Sequence, residues 1–133
     1  MNRKNKYIIL GEINIEPLLN MKKLLEKVLA EAEDEIDEMG AVQAFEVSYE
    51  LAWHICQKVL SYQGYPTRFP RETFRLSAEL GLNKDPEVWF DFMDKRNTTV
   101  HTYDIGILEE IYSVLPKFTK ELNSLIKNLQ KLK

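Results

Sequence analysis

Between residues 41 and 63 the apolar side chains circle most of a helix. Val42, Phe45, Tyr49, Ala52, Trp53, Cys56 and Leu60 recur at helical spacing, and Val47, Leu51, Ile55 and Val59 widen the arc beside them. A helix apolar around so much of its girth must be enclosed, either at the centre of a bundle or against a second subunit. That requirement shapes the rest of the chain, which has to supply the surrounding elements.

It supplies them as helices. The spacing predicts a first helix over residues 16–38, with Met21, Leu24, Leu25, Val28, Ala32 and Ile36 as its buried stripe. Glu31, Glu33, Asp34, Glu35, Asp37 and Glu38 make its end acidic, which opposes the helix dipole. These acids read as a solvated face. Gly40 separates this helix from the central one. Gly64-Tyr65-Pro66 closes the central helix, Pro70 suits the first position of a third, and Gly81 reads as its left-handed stop. Asp85-Pro86-Glu87 opens a fourth helix with the stripe Val88, Trp89, Phe92 and Met93. A fifth begins near Asp104 and carries Leu108, Ile111, Leu115, Phe118, Leu122, Leu125, Ile126 and Leu129; Pro116 should kink or divide it. Residues 1–14 stay open between a short strand, an extended arm and a frayed start.

The chain of 133 residues has 44% hydrophobic and 29% charged side chains, enough for one domain with a real core. Five Gly and five Pro fit long helices with few turns. The lone Cys56 excludes a disulfide framework or a cysteine zinc site, and reads as a small buried hydrophobe suited to a reducing cytoplasm. No apolar run approaches the ~20 residues of a membrane span, and Ile8-Ile9-Leu10 is too short for a signal core. A net charge of −3 means that contact with nucleic acid would need a local basic patch. Arg68, Arg71 and Arg75 are the best candidates, with Arg71 and Arg75 four apart on one face; ordinary solvated arginines are an equal reading.

Chemistry concentrates in Arg96-Asn97-Thr98-Thr99-Val100-His101-Thr102-Tyr103. On an unbroken helix Asn97 and His101 share a face, whereas Arg96 and His101 diverge by about 140°. Arg96 and His101 can serve one ligand only if the helix ends or distorts between them. Thr98, Thr99 and Val100 are β-branched and favour such a loosened turn. Taken alone, the residues also fit a structural role: Arg96 paired with a carboxylate such as Asp94, His101 half-buried, and Tyr103 in the core. Glu46 and Glu50, four apart on the central helix, are either surface acids or partners for a cation such as Arg96.

Phe45-Glu46-x-x-x-Glu50-Leu51-Ala52-Trp53, then Pro70-Arg71, Glu87-Val88-Trp89 and Arg96-Asn97-x-x-x-His101-x-Tyr103, resemble the signature of the HEPN subfamily of nucleotidyltransferase substrate-binding proteins, which includes the HepT toxins. The resemblance covers roughly residues 21–130. Phe69 stands where a Ser is usual before Pro70, so that helix lacks its customary cap. The resemblance implies an all-α fold: an antiparallel up-and-down bundle of four or five helices over residues 21–133, with residues 1–20 as an extension. It also implies a homodimer whose R-x4-H-x-Y motif lies in a cleft at or near the interface. The implied activity is a toxin's metal-independent endoribonuclease, with no cofactor. The implied partner is a minimal nucleotidyltransferase antitoxin from the adjacent gene, which adds AMP to the motif tyrosine. Carried onto this chain, Arg96, His101 and Asn97 are the catalytic candidates. Tyr103, Arg71, Arg75, Glu46 and Glu50 are the substrate or nucleotide contacts, and Tyr103 is the modified residue. A non-catalytic substrate- or nucleotide-binding subunit of a nucleotidyltransferase is the second reading.

Overall fold

The computed structural model of the chain describes residues 5–132. Two short antiparallel strands, β1 (Ile8–Ile9) and β2 (Ile13–Asn14), precede five helices: α1 (Glu16–Glu31), α2 (Glu35–Tyr62), α3 (Pro70–Glu79), α4 (Pro86–Asn97) and α5 (Ile105–Gln130). A single 3₁₀ turn, Thr99–His101, joins α4 to α5. The result is a five-helix bundle with very little sheet.

Helix α2 is the hub and packs against each of the other four helices, as its wide apolar arc requires. Around it Phe45, Phe74, Trp89, Phe92 and Phe118 interlock. Phe74 stacks on Trp89 with centroids 4.7 Å apart, and Phe118 meets Phe45 and Phe92 edge-on at 4.8 and 5.0 Å. Rings from four helices thus meet in the favoured offset and T-shaped geometries, which ties the helices to one another.

Three expectations change. The first helix does not run to residue 38. It ends at Glu31, and α2 starts at Glu35, so Gly40 lies inside α2. The cause is a cap. Asp34 accepts from the backbone N–H of Asp37 at 2.9 Å, and Asp37 accepts from that of Glu33 at 2.9 Å. Glu35, Asp37 and Glu38 therefore sit in the first turn of α2, where the dipole favours acids. Ile36 and Leu24, expected in the buried stripe, are exposed, while Leu18 and Leu25 are fully buried.

Second, Pro116 does not divide the last helix, which runs unbroken from Ile105 to Gln130. The proline sits at an exposed position of α5, so its ring displaces no core packing, and the helix continues through the one backbone bond it cannot make. Third, the α3 entrance compensates for its missing cap residue. Glu72 reaches back to accept from the backbone N–H of Phe69 at 3.3 Å and from that of Arg68.

Elsewhere expectation and structure coincide. Gly81 takes φ +83°, a left-handed value that a side chain resists, and Leu82 donates to the Ser77 carbonyl at 2.8 Å across it. The N-terminal stretch forms the β1–β2 hairpin. Ile9, Ile13, Ile15 and Leu18 are all buried in the same core as the bundle.

Candidate functional site

The site begins where α4 comes undone. Asp85 caps its start, accepting from the Glu87 backbone at 3.0 Å, and Asn97 is its last residue. Beyond Asn97 three threonine hydroxyls turn back on backbone carbonyls: Thr98 on Lys95 at 2.8 Å, Thr99 on Arg96 at 2.8 Å and Thr102 on Thr99 at 3.2 Å. These local bonds compete with the helical ladder and loosen it into the 3₁₀ turn. Asp104 then restarts the chain as α5, accepting from Gly106 and Ile107. The break between Arg96 and His101 that a shared site requires is therefore present.

Arg96 is held from across the bundle by α2, not by its neighbour Asp94. Its Nη1 lies 3.5 Å from Glu46 Oε2, and its Nε lies 3.3 Å from Glu50 Oε2 without hydrogen-bond alignment. Glu46 and Glu50 sit one turn apart, so they grip two edges of the guanidinium. The Thr99 hydroxyl also reaches Glu46 Oε2 at 2.7 Å, which ties the loosened turn to α2. Two carboxylates against one guanidinium leave this spot with a formal charge of −1.

Arg96 and Asn97 line a groove of about 360 Å³ between α2, α4 and the start of α3. Tyr49, Glu50 and Trp53 form its α2 side, and Met93 and Pro70 complete it. Tyr49 is only 1% exposed, and its hydroxyl has no hydrogen-bond partner among the described residues. Burial first, and then the Glu50 carboxylate, push this phenol well above the ordinary tyrosine range; Arg96 pulls the other way.

His101 and Tyr103 stand outside that groove, on the exposed turn. His101 Nδ1 lies 3.2 Å from the Tyr103 hydroxyl, with the rings edge to face at 5.8 Å. Tyr103 is 81% exposed, so it is not a core ring. The His101 Nε2 has no protein partner among the described residues. On the other side of Glu46, Thr99 and Thr102 face Met39, Gly40 and Gln43 across a second, smaller groove of about 230 Å³.

Arg71 and Arg75 occupy α3, where both guanidinium groups lie over the Phe90 ring, at 4.4 and 5.5 Å from its centre. Neither lines the Arg96 groove, although Pro70 does, and the Arg71 charge acts on Tyr49. Of the sequence-derived candidates, then, the structure joins Arg96, Asn97, Glu46 and Glu50 in one constellation. It pairs His101 with Tyr103 beside that constellation, leaves Arg71 near enough to act on Tyr49, and keeps Arg75 on the Phe90 ring outside the groove. Tyr49 lies in the core and Trp53 packs against it, as the α2 arc predicts, and both also line the groove. Their place in the groove could have been found from Glu46, Glu50 and Trp53, which recur at i, i+4 and i+7 on one face of α2.

Residues 14–131 match the family model described as nucleotidyltransferase substrate binding protein like. A Haemophilus influenzae protein named "Probable ribonuclease HepT" is 29% identical over 96 residues, covering 68% of this chain and 66% of that protein, just under two thirds of its length. Two solved structures share the fold at 25% identity. A Thermus thermophilus protein superposes with a TM-score of 0.78 over 84% of this chain and 98% of its own. HI0074 of Haemophilus influenzae, described as revealing the fold of a substrate binding domain of a nucleotidyltransferase, gives 0.80 over 88% and 99%.

Proposed function

The chain belongs to the nucleotidyltransferase substrate-binding family of HEPN/HepT-like proteins, and on that premise we propose that it is the HEPN half of a HEPN/MNT toxin–antitoxin pair. In this reading it is a metal-independent endoribonuclease of the cytoplasm that works as a homodimer. A partner nucleotidyltransferase silences it by adding AMP to Tyr103. The relatives support the pairing with a nucleotidyltransferase, and the ribonuclease name is that of one relative.

The observation that carries the reading is the broken helix end. A clamped guanidinium stands on one side of the break, and an exposed imidazole bonded to an exposed phenol stands on the other. In cleavage an RNA 2′-oxygen attacks the adjacent phosphorus, the 5′-oxygen leaves, and a 2′,3′-cyclic phosphate forms. One proton must leave the attacking hydroxyl and one must reach the leaving oxygen. The imidazole of His101 is suited to either task near neutrality. Two copies across a dimer would supply both. Arg96, oriented by Glu46 and Glu50, would stabilise the charge growing on the phosphoryl oxygens, with Asn97 as an adjacent donor. AMP on the Tyr103 oxygen would set a phosphodiester directly against His101 Nδ1 and obstruct proton transfer.

The test is cleavage of RNA by the purified protein in EDTA, with loss of activity in His101→Ala and in Arg96→Ala. Variants that cut like the parent would refute the assignment. Incubation with the adjacent nucleotidyltransferase and ATP should add one AMP to Tyr103, seen as a mass increase absent from Tyr103→Phe.

One observation favours the second reading, a non-catalytic nucleotide- or substrate-binding subunit. The paired acids leave the Arg96 spot formally negative, an unwelcoming place for RNA phosphate. On that reading the protein binds nucleotide without cutting RNA, and the EDTA assay separates the two.

A further inference from the structure

The groove beside Arg96 is a poor phosphate site and a good site for a base. Its volume of about 360 Å³ falls within the ~300–1,000 Å³ usual for small-ligand pockets. Trp53 offers a half-buried indole, backed by the His54 ring at 4.1 Å, with Met93 and Pro70 as further apolar wall. Single-stranded nucleic acid is recognised through such stacking, together with hydrogen bonds to the edges of unpaired bases. The polar groups suit an edge rather than an anion. Glu50 can only accept, and Oε1, the oxygen not facing Arg96, is in no hydrogen bond among the described residues. The buried Tyr49 hydroxyl lacks a partner among the described residues, and Asn97 can both donate and accept.

Among the four RNA bases, guanine places two donors side by side, the ring N1–H and the exocyclic amino group. This pair matches one carboxylate in a two-point contact. Uracil has a single ring N–H flanked by carbonyl oxygens, which a carboxylate repels. We propose that this groove is a subsite for an unpaired guanine base, stacked on Trp53 and read by Glu50 and the Tyr49 hydroxyl, with the nucleotide's phosphate outside towards the motif turn. The proposal rests on the reading of this site as one that binds RNA or nucleotide, and names what it selects.

Fluorine NMR of the full chain labelled with 5-fluorotryptophan tests it. There are only two tryptophans, and Trp89 is fully buried in the core, so its signal reports the fold while Trp53 reports the groove. GMP should move the Trp53 resonance saturably and leave Trp89 in place, with UMP at least about fivefold weaker. Tyr49→Phe and Glu50→Gln should each weaken GMP binding about fivefold to tenfold, as for the loss of one hydrogen bond. Tyr49→Phe removes only an unpartnered hydroxyl and should fold normally, which the Trp89 signal verifies. No movement of Trp53 with GMP at ~10 mM, tenfold above a weak millimolar Kd, would overturn the subsite. So would equal responses to GMP and UMP, or GMP binding in both variants at the parent's strength. Binding is read without cleavage, in His101→Ala as well as the parent. Loss of RNA cutting with binding intact therefore refutes only the ribonuclease reading, and cutting without GMP binding refutes only the subsite.

Discussion

Glu46 and Glu50 act on Arg96 in two opposed ways. They fix its direction, and they cancel its charge. The groups are partly solvent-exposed, so each ion pair contributes no more than about 1 kcal/mol to stability. Glu46→Gln keeps an acceptor for Thr99 but removes one negative charge. Denaturant unfolding should shift by less than about 1 kcal/mol. On the ribonuclease reading KM should fall, because the spot becomes less repulsive to phosphate, while kcat drops about tenfold as the guanidinium loses alignment. Unchanged kinetics would make Glu46 merely structural. Cys56 is the opposite kind of residue. Complete burial pushes its thiol from 9.0 up to about 12, so it is inert in the native protein. Alkylation at neutral pH should proceed only as fast as the protein unfolds. Below pH 9.0 both states keep the proton; above it the unfolded chain ionises first, so this thiol erodes stability as pH rises towards about 12. Labelling of the native protein at the rate of a free thiol would show that the core opens locally.

At the level of elements, the boundary between α1 and α2 shows how a cap can overrule periodicity. Apolar spacing runs smoothly through Ala32 and Ile36, and Gly40 looks like a stop. Yet Asp34 can serve as a cap only if a new helix starts there, and the acids behind it gain from the start of a dipole what they would lose at its end. Asp34→Ala should therefore destabilise the protein by about 1 kcal/mol. Gly40→Ala should stabilise it by about 0.5–1 kcal/mol, since an added Cβ meets nothing within 4 Å in mid-helix. Thermal unfolding reads both, and a stabilising Asp34→Ala would contradict the cap. The division considered at Pro116 does not occur, for a related reason. A proline is costly where the lost backbone bond is buried, and whether position 116 faces solvent depends on how α5 packs. The loosened turn after α4, by contrast, was legible, because three β-branched residues with two side-chain hydroxyls declare their own local geometry.

At the scale of the whole molecule, several exposed apolar side chains lie on the motif turn and on the helices that flank it. Ile36 and Met39 of α2, Val100 and Tyr103 of the motif turn, and Ile105 at the head of α5 are all exposed. The second groove brings Met39 close to Thr99 and Thr102, so this apolar surface adjoins the motif. Exposed apolar patches beside a site mark contact surfaces, and the proposed homodimer would pair the two His101 side chains through this one. Sedimentation equilibrium should give twice the 15.6 kDa chain mass. Ile36→Asp with Val100→Asp should give a helical monomer that no longer cuts RNA. A parent that stays monomeric would remove the dimer, and with it the two-histidine account of proton transfer.

What the sequence determined by itself is what short-range physics decides: helical periodicity, the enclosed character of α2, the left-handed stop at Gly81, and the weakness of the helix after Asn97. The motif residues were also visible there, because their types and spacing carry chemistry in any fold. Only the tertiary structure decided that Glu46 and Glu50 meet Arg96, that Tyr49 and Trp53 wall a groove as well as packing in the core, and that His101 and Tyr103 turn outward. Such facts depend on which faces of separate helices come together. One helix's rhythm cannot report this, because the free energy that selects the arrangement lies in contacts between residues far apart in the chain.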